Sequence, residues 1–411
     1  MKRITAIIIS VTMAFWGSFM LTSCETTSQN YTLNFVTTPM KSSDDIAHVP
    51  YNITFDETIF SSSPSEFSPT LAKTAMVLSS GAYDSDFTQL NLDALGFTHK
   101  AKFNYSSSYA PQAVGISIAK REIANTTIVA IVLRGTYKKE WHSNFDIGRN
   151  LSETNVHEGF FKASNFALKK LSQYMSNYMV NDNECKFFVT GHSRAGAVAN
   201  LMSKTLIDTY TADKVYAYTF ASPNTTTALN ANIELYRGIF NFVNPDDFIS
   251  YVPLSNWGFT KYGTTIEFFS SEEERKNKLS RVNEKYKAYR NRELKISDKE
   301  TLSLFLDSAY EIAPTVKDYY DTKYDVLGIQ MSMYDYMNMV AQIINEENVI
   351  SNGLIILGSD ATVFKDIKDF LLIGMDDFSR TTTPDFDNSL ISYTHSAETY
   401  LSYLEVYIED M

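Results

Sequence analysis

Cysteine is almost missing from this chain. Cys24 and Cys185 are the only two; with Cys24 modified, as argued below, no internal disulfide is possible and oxidation does not staple the fold. Positive charge is in deficit: 36 Lys and Arg face 48 Asp and Glu, a formal net charge of −12. Phosphate backbones require a basic face, which argues against nucleic acid as a partner, and an acidic surface is weakly repelled by anionic lipid headgroups. No metal-ligand cluster, phosphate-binding loop or internal repeat is visible, so no cofactor and no metal are expected. Histidine is scarce, with six in 411 residues, which narrows any search for an imidazole base. Apolar residues are plentiful, 44% hydrophobic against 20% charged. That is a globular composition, and the length suits one large domain or two ordinary ones.

At the N-terminus Lys2 and Arg3 precede an uncharged, apolar-rich run from Ile4 to Leu21, closed by Leu21-Thr22-Ser23-Cys24. A basic stretch, an apolar stretch and small residues before a cleavage point describe a secretory signal. The Leu-Thr-Ser-Cys ending resembles a bacterial lipobox. The resemblance implies cleavage before Cys24, lipid attachment to its thiol, and a protein anchored in the bacterial cell envelope, on the outer membrane, its periplasmic face or the cell surface. A lipid anchor seats the domain on a membrane rather than in it. Losing Lys2 and Arg3 with the leader takes the net charge from −12 to −14. Residues 24–67 are rich in Ser, Thr, Asn and Asp and read as a tether and irregular leader, with a short strand at Tyr31 to Val36.

The chain is organised around Phe187-Phe188-Val189-Thr190-Gly191-His192-Ser193-Arg194-Ala195-Gly196-Ala197-Val198-Ala199-Asn200-Leu201. A short β-rich run turns at Gly191 and continues as a small-residue pattern of helical period. Strand, sharp turn and helix lift Ser193 Oγ out of the backbone and place its amide at a helix N-terminus. A serine hydroxyl becomes a nucleophile only with a base in reach and donors for the oxyanion it creates. The match to G-x-S-x-G has Ala195 at the second glycine position, where a small side chain suffices.

The surrounding pattern supplies context. Ser68 and Pro69 cap a helix running to Gly81. Gln112 to Lys120 and Thr127 to Arg134 read as strands around a turn at Asn125, the second apolar without alternation, as in a strand covered on both faces. A helix over Glu158 to Met179 and strands at Val215 to Phe220 and Gly238 to Val243 complete an α/β fold with a mostly parallel central sheet. On such a hydrolase scaffold nucleophile, acid and base follow in the chain order Ser, Asp, His. Only His395 lies after Ser193, so it is the base the order permits. The acid belongs after the next strand, where Asn244-Pro245-Asp246-Asp247 offers two carboxylates that the residues alone do not separate.

Five segments in order resemble the class 3 (fungal-type) lipase family of the α/β-hydrolase fold. They are Leu133-Arg134-Gly135-Thr136, Val156-His157-Glu158-Gly159-Phe160, Val189-Thr190-Gly191-His192-Ser193, Tyr218-Thr219-Phe220-Ala221-Ser222-Pro223, and Val243-Asn244-Pro245-Asp246-Asp247 with Pro253 beyond. The resemblance implies a triad of Ser193, Asp247 and His395, with Asp247 rather than Asp246 as the acid. It also implies an oxyanion hole from the amide and hydroxyl of Thr136 and the amide of Arg194. The family usually has leucine at the position of Arg194; pairing of its guanidinium with a carboxylate of the fold is expected, because a buried unpaired arginine is costly. His157 and His192 are implied to be structural neighbours of the turn. Tyr137 to Ile147 falls where the family carries a lid helix, with Trp141, Phe145 and Ile147 offering an apolar side, either as lid or as packing onto the sheet.

The implied activity is hydrolysis of acyl esters, lipids among them, with activity falling below about pH 6.5 as an ordinary imidazole protonates. An acyltransferase or peptidase could use the same triad, and a binding module could retain the scaffold without catalysis. Residues 271–388 depart from the family and are expected to form a helical cap, with a solvated charged helix at Glu272 to Glu300, a Met-rich stretch at Leu327 to Ile344 and an amphipathic stretch at Ala361 to Gly374. The expected division is 1–23 signal peptide, 24–67 leader, 68–270 hydrolase core, 271–388 cap, and 389–411 C-terminal core segment with the histidine.

Overall fold

The computed structural model describes residues 28–37, 48–105, 110–123, 125–137, 140–181, 183–269, 271–296, 299–326, 329–346 and 393–411. The N-terminal run with Cys24 and the amphipathic stretch at Ala361 to Gly374 lie outside them. Among the described residues no helix is long and apolar enough to cross a membrane.

A seven-stranded sheet organises the molecule, in the order β3 (Thr98–Phe103), β4 (Ile116–Ile123), β5 (Thr126–Leu133), β6 (Cys185–His192), β7 (Val215–Phe220), β8 (Ile239–Val243) and β9 (Thr264–Glu267). The β3–β4 and β4–β5 pairs are antiparallel, and every pair from β5 to β9 is parallel. The fold class is the α/β architecture expected from the pattern. The apolar runs conceal a period of two. Ile128, Ala130 and Val132 enter one core, while Val129, Ile131 and Leu133 enter the other. A strand buried on both faces has no polar side to reveal that alternation.

The second of these cores lies under α5 (Glu158–Asn177) and α6 (Arg194–Thr209). The first lies under α1 (Pro69–Gly81) and the C-terminal helix α11 (Ala397–Glu409). Ser68 caps α1, its side chain accepting from Leu71 N at 3.2 Å, with Pro69 at the helix start. The same face is extended by α2 (Ser85–Ala94), absent from the sequence reading.

Two expectations are corrected here. The expected strand at Tyr31 to Val36 is present as β1 (Gln29–Val36), but it belongs to the fold: it pairs antiparallel with β2 (His48–Phe55), and Leu33, Phe35, Ile53, Phe55 and Phe60 enter the core beside α1. The exposed positions that alternate with them are Thr and Asn, among them Thr32, Asn52 and Thr54, which give the stretch the composition of a tether. The charged helix α7 (Glu272–Arg290) is not a free solvated segment. It packs along α11, burying Arg275, Val282 and Tyr286, so it flanks the core rather than roofing it. Its buried face is one residue wide per turn and carries an arginine, which weakens any hydrophobic period.

The rest of the described insertion comprises α8 (Lys299–Ile312), α9 (Val316–Asp321), the hairpin β10 (Tyr324–Val326) and β11 (Ile329–Met331), and α10 (Met333–Glu346). It packs on the segment after β5 that holds the short helices α3 (Trp141–Phe145) and α4 (Leu151–Thr154). Ile147, Phe259, Ala313, Tyr319 and Tyr320 form a separate small core there.

Candidate active site

The turn between β6 and α6 sets the site. Ser193 has φ 61° and ψ −135°, a left-handed backbone that a non-glycine residue adopts only under constraint. The constraint is visible: Ser193 N donates to Phe220 O at 2.9 Å, and Ser193 O accepts from Gly196 N at 2.8 Å. A Cβ at Gly191 would lie 2.5 Å from Ala195 O, so strand and helix meet too closely there for any side chain. Ala195 is fully buried, and alanine fits where the motif has glycine.

The structure brings Ser193, His395 and Asp247 together. Ser193 Oγ lies 2.8 Å from His395 Nε2, and His395 Nδ1 lies 2.8 Å from Asp247 Oδ2. An ionised carboxylate only accepts, so Nδ1 carries the proton and Nε2 accepts from the serine hydroxyl. His395 is 1% exposed and Asp247 fully buried, while Ser193 keeps 9%, the most exposed of the three.

Asp247 caps the 3-10 turn Phe248–Tyr251, its Oδ1 accepting from Ile249 N at 3.0 Å. Its Oδ2 accepts from Ser250 Oγ at 2.9 Å and Tyr400 Oη at 2.6 Å as well as from His395. Asn244 Nδ2 donates to Thr394 O at 2.8 Å, tying the acid loop to the histidine loop. The adjacent Asp246 takes a different part. It pairs with Arg275 of α7 and is buried, so the two neighbouring carboxylates are divided between core and site.

His192 and His157 are both fully buried and held as neutral rings. His192 Nε2 donates to His395 O at 2.9 Å, leaving Nδ1 to accept from Tyr83 Oη at 3.2 Å. Burial, then the nearby His395, lowers its pKa well below the ordinary histidine value. His157 caps α5: its Nδ1 accepts from Phe160 N at 3.3 Å and its Nε2 donates to Asn144 O at 3.1 Å. Burial takes its pKa down to about 3.

Thr136 follows β5 and is 4% exposed, with its Oγ1 3.0 Å from Asn144 Nδ2. A Cβ on the preceding Gly135 would lie 2.1 Å from Tyr83 Oη, so only glycine lets this loop close against Tyr83 and the turn. The Arg194 amide opens α6, where the first N–H groups have no acceptor within the helix. Its side chain is buried and paired, as expected, with Glu140 Oε2 at 3.4 Å.

The stretch Trp141 to Ile147 holds α3, which packs against α5 and α10. Tyr319 Oη donates to Phe145 O at 3.1 Å, and Gly148 N donates to Tyr320 Oη at 2.7 Å. Ile147 is buried among insertion residues, so the insertion clasps the segment beside the site. Tyr83, Glu140, Asn144, Ser250 and Tyr400 were not singled out from the sequence. Only Tyr400 left a trace there, as a polar-tipped residue on the buried side of a helix starting just after the histidine.

Residues 130–257 match the sequence profile of the family described as Lipase (class 3). Over that stretch the chain is similar to the class 3 lipases. The chain therefore carries a carboxylic ester hydrolase domain of the lipase type. Three solved structures similar to parts of it are a triacylglycerol lipase described as having a serine protease triad at its catalytic centre, the Rhizomucor miehei lipase in complex with its propeptide, and lipase II from Rhizopus niveus. The first is 20% identical over 50% of this chain and 80% of its own, with a TM-score of 0.38. The second is 21% identical over 48% and 67%, with a TM-score of 0.39. The third is 16% identical over 49% and 80%, with a TM-score of 0.36. No curated protein matches this sequence at a significant level. The lipase profile ends before Lys261 and α7, so the insertion and the histidine loop lie beyond it.

Proposed function

We propose that this class 3 lipase domain hydrolyses acyl esters, including those of lipids, through an acyl-enzyme on Ser193. The observation that carries the reading is the continuous array from Ser193 Oγ through His395 to Asp247, with both links at 2.8 Å. His395 Nε2 takes the hydroxyl proton as Ser193 Oγ attacks the acyl carbon. Asp247 holds the ring and stabilises the imidazolium. The Thr136 amide and hydroxyl and the Arg194 amide receive the oxyanion. His395 then gives its proton to the departing alkoxide oxygen, and a water deprotonated by the same nitrogen attacks the acyl-enzyme and releases the acid.

The lipobox-like Cys24 completes the proposal. Lipid chains on its thiol hold the enzyme at the bacterial envelope, and β1 starts close behind it in the chain, at Gln29. An anchored enzyme meets lipid esters without a soluble encounter.

The test is hydrolysis of p-nitrophenyl esters of increasing acyl length by the full chain, with Ser193→Ala as control. Turnover that vanishes in Ser193→Ala supports the reading, and its chain-length profile separates an esterase from a lipase. Turnover surviving in Ser193→Ala, or absent at every length from folded protein, overturns it. Incorporation of a labelled fatty acid that disappears in Cys24→Ala tests the anchor.

A further inference from the structure

The proposed oxyanion hole is built from two separate pieces, Thr136 after β5 and Arg194 at the start of α6. Donors stabilise a developing charge only when their separation is set before the reaction. One carboxylate touches both pieces. Glu140 is fully buried; its Oε1 accepts from Arg134 Nη2 at 2.8 Å, and its Oε2 accepts from Tyr137 N at 2.9 Å and Arg194 Nη1 at 3.4 Å. Arg134 and Tyr137 bracket Gly135 and Thr136, so Glu140 grips the loop on both sides of the threonine.

The remaining contacts close the frame. Arg194 Nη2 donates to Ser143 Oγ at 2.9 Å and Ala113 O at 3.0 Å, and Ser143 Oγ donates to Glu140 O at 2.7 Å. Leucine, usual at this position in the family, could make none of these bonds. Among the described residues Arg134 and Arg194 form salt bridges with Glu140 alone. Two guanidinium groups thus share one carboxylate.

Resting on the acyl-transfer reading above, we infer that Glu140 is the positioning residue of the oxyanion hole. It fixes Thr136 against Arg194, so that the two donors stand at a set separation before the ester is attacked.

The test uses the full chain and p-nitrophenyl butyrate, with active-site titration by a fluorophosphonate to count folded enzyme. Glu140→Gln and Arg194→Leu are expected to lower kcat by about tenfold to hundredfold with KM within about twofold, the scale of a misplaced donor. Affinity for a trifluoromethyl ketone, which forms a tetrahedral adduct on Ser193, falls in the same proportion. Affinity for the corresponding unreactive alcohol does not. Glu140→Asp and Arg194→Lys keep the charges and cover the case in which the first pair fails to fold; they give the same parallel loss, smaller in size. Unchanged kcat per titrated site, or a loss of kcat with full ketone affinity, overturns the inference while leaving the triad in place. A wild-type chain without ester turnover overturns the acyl-transfer reading and this inference with it.

Discussion

Tyr400 donates its hydroxyl to Asp247 Oδ2 at 2.6 Å, on the same oxygen that receives the His395 proton at 2.8 Å. The tyrosine also accepts from Asn244 N at 3.1 Å, so one hydroxyl joins α11, the acid loop and the carboxylate. Removing it leaves a buried charge short of a donor and a backbone N–H without its acceptor. Tyr400→Phe is expected to lose about 2 kcal/mol of stability, read as a shift in the urea midpoint. Asp247→Asn, which spoils the ring tautomer, is expected to lower kcat by about 10⁴ while the protein stays folded.

Thr136 offers both an amide and a hydroxyl. Thr136→Ala keeps the first and loses the second, and kcat is expected to fall by about 10²–10³. Thr136→Ser restores most of it. Equal losses in both variants would place the hydroxyl outside the reaction.

Burial raises the Asp246 carboxyl to about 6, against the pull of Arg275. Arg275→Met leaves that carboxylate without its cation and is expected to destabilise the fold by about 3–5 kcal/mol. A folded-state pKa above the ordinary 3.8 means that the native state holds the proton the unfolded chain has released. The penalty therefore grows as pH rises through this range, and the deficit of Arg275→Met is larger at pH 8 than at pH 5. The double variant with Asp246→Asn recovers most of the loss in urea melts.

Lys261 is 5% exposed, and its Nζ donates to Asn224 Oδ1 and Ser250 O, each at 2.7 Å. Burial lowers its pKa from 10.5 to about 7, opposed by Asp247 and Glu267. Between those values the unfolded chain binds a proton that the native protein has lost, so this residue makes stability rise with pH across that window. Below about pH 7 its slope vanishes and the full penalty of the buried cation remains. Unfolding midpoints at pH 7, 8 and 9 should climb less steeply in Lys261→Met than in the parent chain.

Much of the sheet was legible because strand runs such as Thr126–Leu133 are long, β-branched and bounded by turn residues. The turn at Ser193 was legible for a local reason: strand, glycine, serine and small-residue helix are contiguous. Of the hairpin, the first strand was legible at Tyr31 to Val36 but its partner His48–Phe55 was not, since its exposed polar positions imitate a tether. Neither was the seating of α7, whose few buried residues include a charged one. Glu140 escaped notice for the same kind of reason. A lone acidic residue before a short helix reads as surface until two arginines from other elements are seen to close on it.

By itself the sequence determined the α/β order of elements, the nucleophile turn and, through the scarcity of histidine, the one imidazole that can follow it. These are statements about neighbours along the chain and about what is available. The tertiary structure alone decided which of two adjacent aspartates turns inward to His395 and which to Arg275, because that choice depends on partners 148 residues and 29 residues away. It also decided that Arg194 is bound, through Glu140, to the loop that carries Thr136. Hydrogen bonds and buried charges are satisfied by whatever the fold brings near, and nothing in local spacing records those meetings.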